Sequence, residues 1–281
     1  MSERDAGRTG MKGLELWWLG QAGFRLRDAD AATHVFLDPF VTRQDDRAWQ
    51  APVDAAALAR ADLILVSHEH VDHLDRPALQ EAAQLPGSRF TLVVPWPLAE
   101  EVSAELGLPH ERVIGAHPDE PIEQNGVHIH PVPARHGVNV SDAYTFGQEL
   151  PHSHGRVRYL GYVVELGGIR VYHSGDCTPY VGQAERLKAL QPHIALLPIN
   201  GRDFFRELEH NIVGNMDFRE AARLASDMGV ELLVPMHWEL FATNRGFPGD
   251  LVAYVADTFP GLSVLVMGRG ARFTFSPAAA S

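Results

Sequence analysis

Residues 67–73 read Ser-His-Glu-His-Val-Asp-His, directly after the apolar run Leu63-Ile64-Leu65-Val66. The run predicts a short strand buried on both faces, and residues 75–85, with Pro77 near their start, predict a helix. His68, His70, Asp72 and His73 therefore stand at the C-terminal end of a buried strand, where open α/β sheets gather ligands. In an extended segment His68 and His70 project to the same side, while Asp72 and His73 begin the following turn and point to a neighbouring position. One short segment can thus serve two metal ions, which is more ligating capacity than folding requires.

The first half of the chain predicts strands at 14–19, 24–27, 35–37, 63–66, 91–94 and 127–132. The second half repeats that grammar at 159–166, 169–172, 194–197 and 231–234, and closes on a terminal pair split by Gly268-Arg269-Gly270. Helical patterns lie between several of these strands, so two sheets with outer helices are the natural packing. The clearest helix spans 217–228: Asp217 and Glu220 form a capping-box pattern, Ala221, Leu224, Ala225 and Met228 share one face, and Gly229 ends it. No solenoid-period repeat or low-complexity linker interrupts the chain. Residues 13–276 are therefore expected to form one domain of two similar halves, between a disordered lead at 1–12 and a short tail at 277–281. Residues 134–155 follow neither period and predict a long functional or mobile loop.

At 281 residues and 45% hydrophobic content the chain can enclose a water-excluding site. Its net charge of -12, with Lys12 and Lys188 as the only lysines, argues against binding to a phosphate backbone, so no nucleic-acid partner is expected. A single cysteine, Cys177, rules out an intrachain disulfide and thiolate zinc clusters. No apolar run reaches the length of a membrane span, and the first residues lack a signal-peptide core. The expectation is a cytoplasmic protein with no membrane partner.

The pattern His-x-His-x-Asp-His at His68, His70, Asp72 and His73 resembles the signature of the metallo-β-lactamase superfamily. The resemblance implies an α/β fold, a four-layer αβ/βα sandwich of two mixed β-sheets with outer helices. It also implies further ligands at later strand ends, and the chain offers His136 in Pro133-Ala134-Arg135-His136-Gly137, Asp176 in His173-Ser174-Gly175-Asp176, and His237 in Val234-Pro235-Met236-His237. Carried over by position, His68, His70 and His136 would hold one metal, Asp72, His73 and His237 a second, and Asp176 would bridge them. Gly175 would permit the turn that aims Asp176 inward. Asp38, ending the strand at 35–37, corresponds to an early aspartate that orients ligands. Imidazole and carboxylate donors suit Zn or Mn, and also accept Fe.

Longer strings resemble the ascorbate 6-phosphate lactonase-like branch: Leu16-Trp17-Trp18-Leu19-Gly20 with Gly23-Phe24, Val171-Tyr172-His173-Ser174-Gly175-Asp176, and Pro235-Met236-His237-Trp238-Glu239. That likeness implies a binuclear hydrolase using a metal-bound hydroxide on a lactone or other small cyclic ester, with Asp176 and Asp72 as catalytic carboxylates. A phosphodiesterase acting on a small cyclic phosphodiester is the alternative, and a noncatalytic metal-stabilised binding protein is less favoured. In Asn200-Gly201-Arg202-Asp203, Arg202 and Asn200 are candidate substrate contacts at the rim. A small-molecule substrate is expected, anionic if Arg202 faces it. His173 is a candidate for support or proton transfer, whereas His152 and His154 read as exposed loop residues. The resemblance also implies a homo-oligomer.

Overall fold

The computed structural model describes residues 13–28, 33–43, 49–147 and 157–277. The lead at 1–12, His152, His154 and residues 278–281 lie outside the described residues. The first sheet contains β1 (Leu14–Gly20), β2 (Gly23–Asp28), β3 (His34–Leu37), β4 (Leu63–Leu65), β5 (Thr91–Pro95) and β6 (Val113–Ala116). The second contains β7 (Ile122–Gln124), β8 (Val127–Pro133), β9 (Leu160–Leu166), β10 (Ile169–His173), β11 (Ile194–Pro198), β12 (Leu232–Met236) and β13 (Ser263–Val264). A last strand, β14 (Arg272–Phe275), returns to the first sheet and pairs antiparallel with β1.

The two halves follow one plan. β1, β2 and β3 form an antiparallel series, and β4, β5 and β6 continue from β3 in parallel. Likewise β7 to β10 form an antiparallel series before β11, β12 and β13 continue in parallel. Helices α1 (Ala55–Ala59), α2 (Arg76–Gln84) and α3 (Ala99–Leu106) belong to the first half. The second half holds α4 (Gln183–Leu190), α5 (Phe204–His210), α6 (Phe218–Met228) and α7 (Pro248–Thr258).

Three apolar clusters define the layers. Side chains such as Leu16, Phe24, Leu65, Val164 and Val234 fill the space between the sheets. Ile64, Leu79 and Val102 pack α2 and α3 against the outer face of the first sheet, and Leu197, Ala225 and Leu251 pack α6 and α7 against the second. Alternate residues of one strand serve different layers, as Ile64 and Leu65 do, because successive side chains leave opposite faces. The result is the expected helix–sheet–sheet–helix sandwich. Among the described residues, no helix is long and apolar enough to cross a membrane.

Local signals explain the best-anticipated elements. Asp75 caps α2 by accepting from the Ala78 N–H, with Pro77 in the first turn. The Asp217 and Glu220 side chains make the reciprocal capping box of α6, and Gly229 ends it at φ 78°. Two edge strands, β6 and β7, escape sequence reading because they are short and only partly buried, which blurs their apolar pattern. The terminal pair also divides: β13 extends the second sheet, while β14 completes the first. Within 134–147, Val140–Asp142 forms a single 3₁₀ turn and His136 bridges Thr145, so this part of the expected irregular loop is locally ordered.

Candidate metal centre

The site is built from strand ends of both sheets. Asp38 ends β3 with φ 41°, and its carboxylate collects the Ser67 N–H at 2.7 Å, the Ser67 hydroxyl at 2.6 Å and His73 Nδ1 at 2.6 Å. One side chain thus fixes both ends of the segment after β4, and it is buried. Burial alone would raise the Asp38 carboxyl, but His73 and the Ser67 hydrogen bond outweigh it and hold Asp38 below the usual range. With Nδ1 held by Asp38, the His73 ring turns Nε2 toward Asp72 and Asp176. Glu69, between the histidines, turns away to Arg158 at 2.7 Å.

His68, His70, His136 and Asp176 form one group of potential metal donors, and Asp72, His73 and His237 a second. His68 Nε2 lies 2.8 Å from His70 Nδ1, which lies 3.2 Å from His136 Nε2. Asp176 stands between the groups. Its Oδ2 is 3.6 Å from His136 Nε2, and its Oδ1 is 3.3 Å from both His73 Nε2 and His237 Nε2. Asp72 Oδ2 lies 3.2 Å from His237 Nε2. The fold therefore gathers all seven residues singled out in the sequence around two adjoining points.

The proton inventory shows that these groups suit a cation. The Ser67 hydroxyl donates to Asp38, so at 2.9 Å its oxygen receives the proton of His68 Nδ1, leaving a lone pair on Nε2. His70 Nε2 donates to the Val138 carbonyl at 2.8 Å, leaving a lone pair on Nδ1. These two lone pairs face each other at 2.8 Å. A metal ion between such nitrogens turns that repulsion into ligation. Buried His73 Nε2 and Asp176 Oδ1 face each other at 3.3 Å, too long for a strong hydrogen bond, and a cation between them would satisfy both polar atoms.

Electrostatics set His68 and His136 apart from His73. Burial, followed by the neighbouring imidazoles, holds His68 well below its ordinary value, and burial pushes His136 down to about 3, so both are neutral donors. His73 behaves oppositely: burial lowers it, but Asp176, Asp72 and Asp38 together raise it well above the ordinary range. Burial would raise Asp72 and Asp176, yet His73 and His237 keep both carboxyls ionised at neutral pH.

Other candidates occupy different places. His173 spends Nε2 on the Ala22 carbonyl at 2.8 Å and accepts the Gly175 N–H on Nδ1 at 3.1 Å, so it braces the turn before Asp176. Arg202 does not turn to the cleft: two of its nitrogens each lie 2.6 Å from a Glu220 carboxylate oxygen, and the side chain also reaches the Asn215 carbonyl. Asn200 acts one layer back, donating to Asn244 Oδ1 at 2.8 Å, and Asn244 lines the cleft. The cleft over the donor groups has a volume of about 260 Å³. His70, Asp72, Asp176 and His237 line it together with apolar Val138, Ile212, Val213 and Phe241.

Sequence reasoning missed Gln21, Trp49 and Glu239. Gln21 lies in the β1–β2 turn with its amide nitrogen 2.8 Å from Asp72 Oδ2, and Glu239 accepts both the Gln21 N–H and the Trp49 indole N–H. Glutamine is no ligand-type residue, and its partner is 51 positions away, so no local signal marks it.

Cys177 follows Asp176 in a fully buried position, where burial pushes its thiol up to about 11. Alkylation requires the thiolate. Native protein at pH 8 is expected to resist iodoacetamide and unfolded protein to take up one equivalent; rapid native labelling would contradict this assignment. Because the folded value exceeds the ordinary thiol value of 9.0, the linked stability is intact below about pH 9 and is lost as pH rises towards about 11.

Residues 33–238 match the family described as Beta-lactamase superfamily domain. A UPF0173 metal-dependent hydrolase of Myxococcus xanthus is 30% identical over 241 residues, covering 84% of this chain and 75% of that protein. Among solved structures, a metallo hydrolase of Ignicoccus hospitalis superposes with TM-score 0.71 at 20% identity, covering 94% of this chain and 99% of the other. The metallo-beta-lactamase fold protein YhfI of Bacillus subtilis gives TM-score 0.65 at 16% identity, with coverage of 94% and 99%. With its helix–sheet–sheet–helix layers and its paired donor groups at the strand ends, the chain belongs to the beta-lactamase superfamily and, within it, to the UPF0173 metal-dependent hydrolases.

Proposed function

We propose that this protein hydrolyses a small, uncharged cyclic ester, a lactone, with two divalent ions of Zn or Mn, or alternatively Fe, held by the two donor groups. The observation that carries the reading is the position of Asp176 between those groups, beneath a cleft whose described lining residues include no Arg or Lys. When bound, the ions supply Lewis acidity and a solvent nucleophile that ionises near neutral pH. Asp176, ionised and buried between the groups, would help hold the ions and is the carboxylate able to accept a proton at the floor of the cleft, with Asp72 as the second acid group facing it. Asn244 Oδ1 accepts from Asn200 at 2.8 Å and from Arg206 at 3.2 Å, which leaves its amide nitrogen as the donor for a substrate carbonyl. Val138, Ile212 and Phe241 exclude water around the substituents of the ring.

A largely apolar wall whose charged lining residues are the carboxylates Asp72 and Asp176, with no Arg or Lys among the described lining residues, favours a lactone over a phosphodiester, whose own negative charge those carboxylates repel. Metal-loaded protein is expected to turn over γ- and δ-lactones at least about tenfold faster than bis-p-nitrophenyl phosphate, each assayed with Zn and with Mn. Preference for the phosphodiester, or undiminished lactone turnover after chelation, would overturn the reading.

A further inference from the structure

Gln21 is a buried polar side chain at the site without an obvious ligating role. It is 1% exposed and occupies the left-handed region at φ 50°, a costly backbone state for a residue other than glycine. Its peptide is tied to the segment that carries His237: the His237 N–H donates to the Gln21 carbonyl at 3.0 Å, and the Gln21 N–H donates to Glu239 at 2.9 Å. His237 itself has φ 57°, so two strained residues from opposite sheets are locked together. The Trp18 indole also donates to the Gln21 carbonyl, and Trp18 stacks on Trp238 at 5.3 Å.

This clasp aims the amide at the second donor group. Gln21 Nε2 lies 2.8 Å from Asp72 Oδ2 and 3.0 Å from His237 Nε2. Only the nitrogen end of an amide can rest against a carboxylate oxygen, so the orientation is fixed chemically. Asp72 Oδ2, the oxygen that also faces His237 Nε2 at 3.2 Å, thereby gains a neutral donor in a buried place that holds the carboxylate toward the second group.

We infer that Gln21 is the positioning residue of the Asp72–His73–His237 group, selectively strengthening its hold on a metal ion through the Asp72 carboxylate. The inference rests on the two-ion reading above but concerns one group alone. Removing an orienting partner of this kind lowers metal affinity about 10–100-fold.

The test is Zn titration of metal-stripped protein by calorimetry with a competing chelator. Wild type is expected to take up two equivalents. Gln21→Leu should weaken one affinity at least about tenfold and leave the other unchanged, and Gln21→His, which restores an N–H donor, should recover most of the loss. In a His237→Ala background, which dismantles the second group, Gln21→Leu should no longer change the remaining affinity. Melting curves and circular dichroism establish that each variant is folded, and Gln21→Met, which keeps the length of the side chain but has no N–H donor, takes the place of Gln21→Leu in every comparison if Gln21→Leu is not. Equal weakening of both affinities, or a Gln21→Leu titration that matches wild type, overturns the inference and leaves the two-ion reading standing. A wild-type protein that takes up no Zn overturns both.

Discussion

Replacing Asp176 with Asn is expected to lower kcat/KM by at least about 10³-fold, equivalent to roughly 4 kcal/mol of transition-state stabilisation, while the protein remains folded. The substitution keeps the size of the side chain but removes the charge that stands between the two donor groups. Oδ2 faces His136, and Oδ1 faces His73 and His237, so an amide presents one oxygen to one side and an N–H to the other. One group must therefore lose an acceptor and meet a proton where a metal donor stood. Metal analysis of the purified variant should show a loss of bound metal alongside the lost turnover. Full turnover with wild-type metal content would remove Asp176 from the mechanism.

Gly175→Ala is expected to damage both stability and site. Gly175 has φ 58°, and an added Cβ would lie 2.6 Å from Ser67 Cβ and 2.8 Å from the Leu160 carbonyl oxygen. Ser67 cannot move aside cheaply, because Asp38 holds its N–H and its hydroxyl. Backbone strain and overpacking together predict a loss of about 2–5 kcal/mol, read as a fall in melting temperature of roughly 5–15 °C. Displacement reaches Asp176 on one side and His68 on the other, so metal uptake should fall with stability. A variant that melts with the wild type and retains its turnover would refute the steric argument.

What the sequence reveals is what is written locally. The His68–His73 segment, the capped α6, the Gly175 turn and the strands preceding His136 and His237 each carry their signal within a few residues. What it conceals depends on pairing across distance. Arg202 looks free for an anion until the fold brings Glu220 beneath it, and Asn200 reaches the cleft only through Asn244. Gln21 and Glu239 gain meaning only when the β1–β2 turn meets the end of β12. The edge strands β6 and β7 bury too little to leave a pattern, and β14 is assigned to its sheet by a partner at the far end of the chain.

That last pairing bears on how the protein is made. Arg272 and Glu15 meet across 257 positions, and β1 has β2 on one side and β14 on the other. During synthesis, the outer edge of β1 must wait with its backbone groups unpaired until residues 272–275 have left the ribosome. Such an edge is open to pairing with another nascent chain, and closing so long a loop is slow. The last strand is thus a late fastening, and the interval before it forms is when a growing chain is most exposed to aggregation.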